Sequence, residues 1–221
     1  MGTYLITGAN RGIGLEYCRQ LKQRRHNVIA VCRKASAELK ELDVSIETGV
    51  DVTSDADIKR LVKKLDNRQL DVLINNAAIV ERFSLSDLDV NSIRRQFEVN
   101  SLAPLKITHA LLPNLRPGSK IVLMTSRMGS IEDNTSGGSY GYRMSKAALC
   151  MAGKSLSIDL KSKNIAVAIL HPGLVKTRMT NFNPNGITTE QSVKGLIARI
   201  DELNLENTGT FWHSNGEILP W

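Results

Sequence analysis

Tyr142 and Lys146 stand four residues apart in the stretch YGYRMSKAAL, residues 140–149. On a helix that spacing puts both side chains on one face, whereas Tyr140, six residues before Lys146, points elsewhere. A phenol ordinarily titrates near 10, so proton exchange near neutral pH needs its pKa brought down by about three, worth about 4 kcal/mol. A neighbouring ammonium supplies this by favouring the phenolate. The chemistry open to such a pair is general acid–base transfer at an oxygen. Ser126 closes the run KIVLMTS, where its hydroxyl could donate to a carbonyl oxygen while the phenol delivers a proton. Ser130 offers a second hydroxyl nearby, and Ser126 could equally be a turn former. Asn100, in FEVNSLAP, is a polar residue within a helix-period stretch. It could interrupt regular bonding and hold a water near Lys146, or simply be a satisfied helix asparagine.

A second group of residues suits an anion. LITGANRGIG places Gly8, Gly12 and Gly14 between a strand-like and a helix-like run, where the backbone must turn tightly and approach a phosphate without side-chain clash. Open amides at the helix start would then bind a diphosphate. A dinucleotide's ribose is read at the end of the second strand, where an acid would favour NAD. Here NVIAVCRK brings Arg33 and Lys34. A guanidinium fork suits a 2′-phosphate, and Arg11 could close on the same group, so the expected cofactor is NADP(H). The bland alternative makes Arg11 and Arg33 ordinary surface cations.

Elements must carry these groups to one place. Short β-rich runs alternate with helix-period stretches along the whole chain, the rhythm of a parallel sheet covered on both faces. Seven strands are expected: TYLIT, NVIAVC, VSIETGV, DVLINNA, KIVLMTS, IAVAIL and TFWHS. Between them Leu15, Cys18 and Leu21, then Ile58, Leu61, Val62 and Leu65, recur at helical spacing. A longer helix is expected over about 91–112, interrupted near Pro104, and another over about 142–161. Right-handed crossovers then give an α/β, three-layer, doubly wound Rossmann fold with a seven-stranded, mainly parallel sheet, one domain over residues 1–221. Its ligands lie beyond the carboxyl ends of the strands.

With 221 residues, 42% hydrophobic and 23% charged, and a mean hydropathy of −0.16, the chain has the balance of a globular protein able to bury its own core. The net charge of +7 is scattered in doublets, with no interleaved aromatics, so nucleic acid is not an expected partner. No apolar run approaches the roughly 18 residues of a membrane span, and MGTYLITGANRGIG enters a strand and loop where a signal peptide needs its apolar region. Cys18, Cys32 and Cys150 have no metal-type spacing and are odd in number, which points to the cytoplasm, with no metal. His171 reads as a strand-end residue rather than a catalyst, since no carboxylate or ligand partner is spaced to support it.

Taken in order, TGANRGIG, Asp51-Val52, NNAA at 75–78, Asn100, Ser126, YRMSK and HPGLVKT resemble the motif set of the short-chain dehydrogenase/reductase family over nearly the whole chain. The long Ser126–Tyr142 gap is most similar to the C-factor and sniffer-like carbonyl reductase subgroup. The resemblance implies Tyr142 as general acid, with Lys146 as its partner and a ligand of the nicotinamide ribose. It implies Ser126 as carbonyl orienter and Asn100 as holder of a relay water. It extends cofactor contact from the glycines and Arg11 to Asn10 and Ile13. Asp51 and Val52 would flank the adenine, Asn75 and Ala77 the ribose side, and Pro172, Gly173, Val175 and Thr177 the nicotinamide. Ala78 departs from the family's usual glycine after NNA, adding a methyl near the cofactor path. The implied function is NADP(H)-dependent hydride transfer to a small carbonyl substrate, or from its alcohol. An NADP-binding regulator with little turnover is the alternative. A homodimer or homotetramer is expected through the long helices, and the polar segment after Thr177 should form only a short lid.

Overall fold

Apolar runs rich in valine, isoleucine and leucine cannot present their backbone to water and to the core at once, and pairing them side by side resolves both demands. The computed structural model describes residues 1–221, and its strands are β1 (Thr3–Thr7), β2 (Asn27–Val31), β3 (Ser45–Glu47), β4 (Leu70–Asn75), β5 (Leu115–Met124), β6 (Ala166–His171) and β7 (Phe211–His213). They form one sheet in the order β3-β2-β1-β4-β5-β6-β7, and every neighbouring pair is parallel. The chain winds outward from β1 through β2 to β3, then returns to lay β4 against the other side of β1. The strand order therefore reverses between β1 and β4, and a crevice opens there at the carboxyl ends.

The helices are α1 (Gly12–Gln23), α2 (Ala37–Lys40), α3 (Asp55–Leu65), α4 (Val90–Phe97), α5 (Ala103–Leu111), α6 (Tyr140–Asp159) and α7 (Thr189–Glu202). Leu21 of α1 packs with Val193, Leu196 and Ile200 of α7 on one face of the sheet. On the other face Ile58, Leu61 and Leu65 of α3 pack with Ile107 and Leu111 of α5 and Leu149 of α6. Helix ends are set locally. Ser54 accepts from the Asp57 amide at 3.2 Å, and α3 runs from aspartates in its first turn to lysines in its last, which complements the helix dipole. Thr188 and Gln191 form a reciprocal cap on α7.

The expected break near Pro104 lies one turn earlier. Between α4 and α5 runs a π-helical segment, Glu98–Leu102, centred on Asn100, while Pro104 sits in the first turn of α5, where the missing amide would have no helical partner anyway. Beyond β7 the chain doubles back. Trp212 bridges Ile218 antiparallel, the His213 amide donates to the Glu217 carbonyl, and the Leu219 amide donates to the Phe211 carbonyl, both at 2.8 Å.

Candidate functional site

The carboxyl end of β5 delivers Ser126, which is only 8% exposed. A tight turn, Arg127–Gly129, follows it, and the Ser126 Oγ accepts from the Met128 amide at 3.2 Å. The other candidate hydroxyl is committed elsewhere: Ser130 Oγ donates to the Trp221 carbonyl at 2.9 Å and accepts from the Asp133 amide at 3.0 Å. Of the two serines, it is Ser126 whose hydroxyl acts on the phenol of Tyr142. Helix α6 presents Tyr142 and Lys146 together, both buried, and leaves Tyr140 37% exposed. The turn meets α6 through Gly129, where an added Cβ would come 2.8 Å from the Lys146 carbonyl carbon.

Electrostatics differ from what the four-residue spacing suggests. Burial raises the pKa of Tyr142, opposed by the Ser126 hydroxyl and the field of Arg82. Lys146 is not among the groups that lower it; burial pushes Lys146 itself down to about 8. Its Nζ donates to the Met124 carbonyl at 2.8 Å and lies 5.7 Å from the Tyr142 ring centroid. The phenol is thus held protonated near neutral pH beside an amine that gives up its own proton unusually readily.

Asn100 is fully buried. Its Oδ1 accepts from the Ile79 amide at 2.9 Å, while its Nδ2 donates to the Ile79 carbonyl at 2.9 Å and to Ser145 Oγ at 3.0 Å. The side chain therefore ties the segment after β4 to α6.

At the crevice between β1 and β4 the glycine loop is built for close approach. Gly8 has φ +67°, and a Cβ there would sit 2.9 Å from Ala77 Cα; a Cβ on Gly14 would collide with the Gly8 carbonyl oxygen. Helix α1 has no side-chain cap at Arg11, which leaves its first amides open to an anion. This uncapped helix end and the glycines at Gly8 and Gly12 beside it fit a dinucleotide's diphosphate. Asn10 and Ile13 lie half-buried in the same loop. Arg11, Arg33 and Lys34 are exposed, and none is in an ion pair. Asp51 and Val52 are half-buried beyond β3. The Thr53 amide and hydroxyl hold the Asp51 carboxyl below its usual range, with a smaller contribution from Arg33.

Asn75 and Ala77 separate. Ala77 lies at the glycine loop, its amide donating to Thr7 Oγ1 at 3.1 Å. Asn75 is buried beneath, donating to Thr108 Oγ1 at 3.1 Å, with its Oδ1 unpartnered. Asn76, unremarked in the sequence, braces the loop directly: its amide donates to Thr7 Oγ1 at 3.0 Å and its Nδ2 to the Thr7 carbonyl at 2.9 Å. Only its place beside the other NNAA residues could have signalled it. On the far wall, Pro172, Gly173 (φ +86°) and Thr177 are half-buried, and Thr177 Cγ2 would lie 3.5 Å from a Cβ on Gly12. Val175 is buried and bridges Ile187. His171 is pushed down to about 3 by burial, then by His213 and Arg127, so it is a neutral strand-end ring stacked edge-on against His213.

A model of short chain dehydrogenases matches residues 3–187. The chain is 42% identical over 226 aligned residues, covering 100% of both chains, to the 1-hydroxy-2-glutathionyl-2-methyl-3-butene dehydrogenase of Rhodococcus sp. (strain AD45). It is 44% identical over 155 residues to C-signal of Myxococcus xanthus, covering 69% of this chain and 93% of that one. Among solved structures, the carbonyl reductase Sniffer of D. melanogaster superposes with a TM-score of 0.92 at 30% identity, over 100% of both chains. The NADPH-bound carbonyl reductase from chicken fatty liver superposes with a TM-score of 0.91 at 29% identity, over 100% of this chain and 99% of that one.

Proposed function

The chain belongs to the short-chain dehydrogenase/reductase family of oxidoreductases, and from that membership we propose that it catalyses reversible hydride transfer between NADP(H) and a carbonyl compound, an aldehyde, ketone or quinone. The observation that carries this is the convergence of Ser126 and Tyr142, with Lys146 buried beside them, at the end of β5, while Ser130 is engaged elsewhere. NADPH, when bound, supplies the hydride. Ser126 donates its hydroxyl hydrogen to the substrate oxygen and orients it. Tyr142, kept protonated by burial, delivers its proton as charge develops on that oxygen, giving the alcohol. In the oxidising direction the same phenol oxygen takes the proton back. Lys146 stands behind the phenol, ready to replace its proton and to meet the nicotinamide ribose. Asn100 holds the helix there and offers its main chain to a relay water.

Gly8, Asn10, Gly12, Ile13, Gly14 and the amides opening α1 would hold the diphosphate, and Arg11 with Arg33 the 2′-phosphate. Asp51 and Val52 would flank the adenine. Ala77, with Asn75 behind it, would line the ribose side, and Pro172, Gly173, Val175 and Thr177 the nicotinamide side. The likeness to an NADPH-bound carbonyl reductase supports this cofactor, as the Rhodococcus relative's name supports an alcohol–carbonyl couple. We also infer a homodimer joined through α5 and α6, and, from three buried free thiols, a reducing cytoplasmic setting.

Tyr142→Phe should abolish carbonyl-dependent NADPH oxidation, followed by absorbance, while NADPH affinity by fluorescence titration stays within about twofold. Wild-type turnover in that variant would remove Tyr142 from the mechanism. Likeness to C-signal favours a second role, an NADP-binding regulator with little turnover. Tight NADPH binding with no consumption across a panel of aldehydes, ketones and quinones would favour that role.

A further inference from the structure

The turn that follows Ser126 has no strand to hold it, because β5 ends at Met124. Its inner side rests on α6 through Gly129. Its outer side is held by the chain that doubles back after β7. The Trp221 carbonyl oxygen accepts from Ser130 Oγ at 2.9 Å, from the Ile131 amide at 2.6 Å and from the Glu132 amide at 3.0 Å. The Glu217 carboxylate accepts from Arg127 Nη2 at 2.8 Å, and Arg127 Nε faces Asp133 Oδ2 at 3.4 Å. This returning segment is itself anchored. Leu219 is buried with Cys150, Ile169 and Phe211, and the Trp221 ring stacks on Phe211 at 5.6 Å. Cys150 lies one helical turn beyond Lys146 on α6, so the same few residues brace both elements that carry the reacting groups.

We propose that residues 217–221 form a positioning strap, in which Glu217 through Arg127, and the Trp221 carbonyl through Ser130, set where the Ser126 hydroxyl lies relative to Tyr142. The inference rests on the hydride-transfer function proposed above. Arg127 and Glu217 are each about half exposed, so their pairing adds little to stability. Positioning is more demanding, since a displacement on the order of 1 Å can cost about 100-fold in rate. A small energetic loss can therefore appear as a large kinetic one.

The test uses Glu217→Ala, Glu217→Gln and Ser130→Ala in the full chain. Glu217→Ala is expected to lower kcat about tenfold or more with NADPH affinity and the unfolding midpoint nearly unchanged. Glu217→Gln, which keeps an acceptor for Arg127, should recover most of that loss, and Ser130→Ala should reproduce part of it. Because Ser126 lowers the phenol pKa, a displaced Ser126 should also move the phenol limb of the pH–rate profile upward. Wild-type kcat and pH profile in both Glu217→Ala and Ser130→Ala, alongside an active wild type and a dead Tyr142→Phe, would overturn the strap and leave the proposed function standing. A wild type that consumes no NADPH would instead defeat that function. The strap is then read by hydrogen exchange: Ile131 and Glu132 amides as protected in Glu217→Ala as in wild type overturn it, and faster exchange supports it.

Discussion

Burial, more than the neighbouring amine, governs the two central side chains. Lys146 is 2% exposed and titrates at about 8 instead of 10.5. Its charged form is therefore disfavoured in the folded protein. The folded state binds fewer protons than the unfolded chain between about pH 8 and 10.5, so this penalty is fully present below about 8 and fades as pH rises toward 10.5. Lys146→Met should accordingly lose turnover yet raise stability at pH 7, by at most roughly 3 kcal/mol from the size of the shift. The Met124 carbonyl, left without its donor, offsets part of that gain. Urea unfolding at pH 7 and 9.5 checks it: the advantage of the variant should shrink at the higher pH, and a variant less stable than wild type at both would refute the account. Keeping a costly cation there is what a site shaped by function rather than stability does.

Among the elements, the opening of α1 is the most constrained. Its missing side-chain cap leaves the first amides without a side-chain partner, and Gly14 has the Gly8 carbonyl where a Cβ would go. Gly14→Ala must push the helix away from β1, so NADPH affinity should fall about tenfold or more, while the sheet, whose strands this change does not touch, keeps its far-ultraviolet circular dichroism. Unchanged affinity by titration would remove the loop from cofactor binding. The α4–α5 region shows where periodicity misleads. The apolar spacing over 91–112 predicts one helix bent at proline, but proline is accommodated in a first turn, and the irregularity belongs to Asn100, whose amide is drawn toward Ile79 and Ser145. A residue's tertiary partners cannot be counted from its neighbours in the chain.

For the whole molecule, α6 carries an exposed apolar stripe. Met144, Met151 and Ile158, seven residues apart and so on one face, are 52%, 69% and 66% exposed, and Leu102 and Leu105 are also exposed near the start of α5. A second copy packing there would bury this apolar stripe. Light scattering should give twice the 24.4 kDa chain mass, and Met151→Glu, placing a charge in the interface, should give the single-chain mass with the circular dichroism spectrum unchanged. A wild-type monomer at micromolar concentration would refute the dimer.

The alternating rhythm of strands and helices, the parallel doubly wound sheet and the shared face of Tyr142 and Lys146 could all be deduced from residue order, because each follows from short-range periodicity and the few crossovers that a parallel sheet permits. Which serine meets the phenol, that Asn75 lies beneath the cleft while Asn76 braces it, and that residues 217–221 hold the Ser126 turn emerged only in three dimensions. The partners that hold Asn75, Asn76 and Ser130 lie 33, 69 and 91 residues away. The shift of Lys146 to about 8 likewise depends on tertiary packing, because desolvation is set by everything packed around a group and by none of its neighbours in sequence alone.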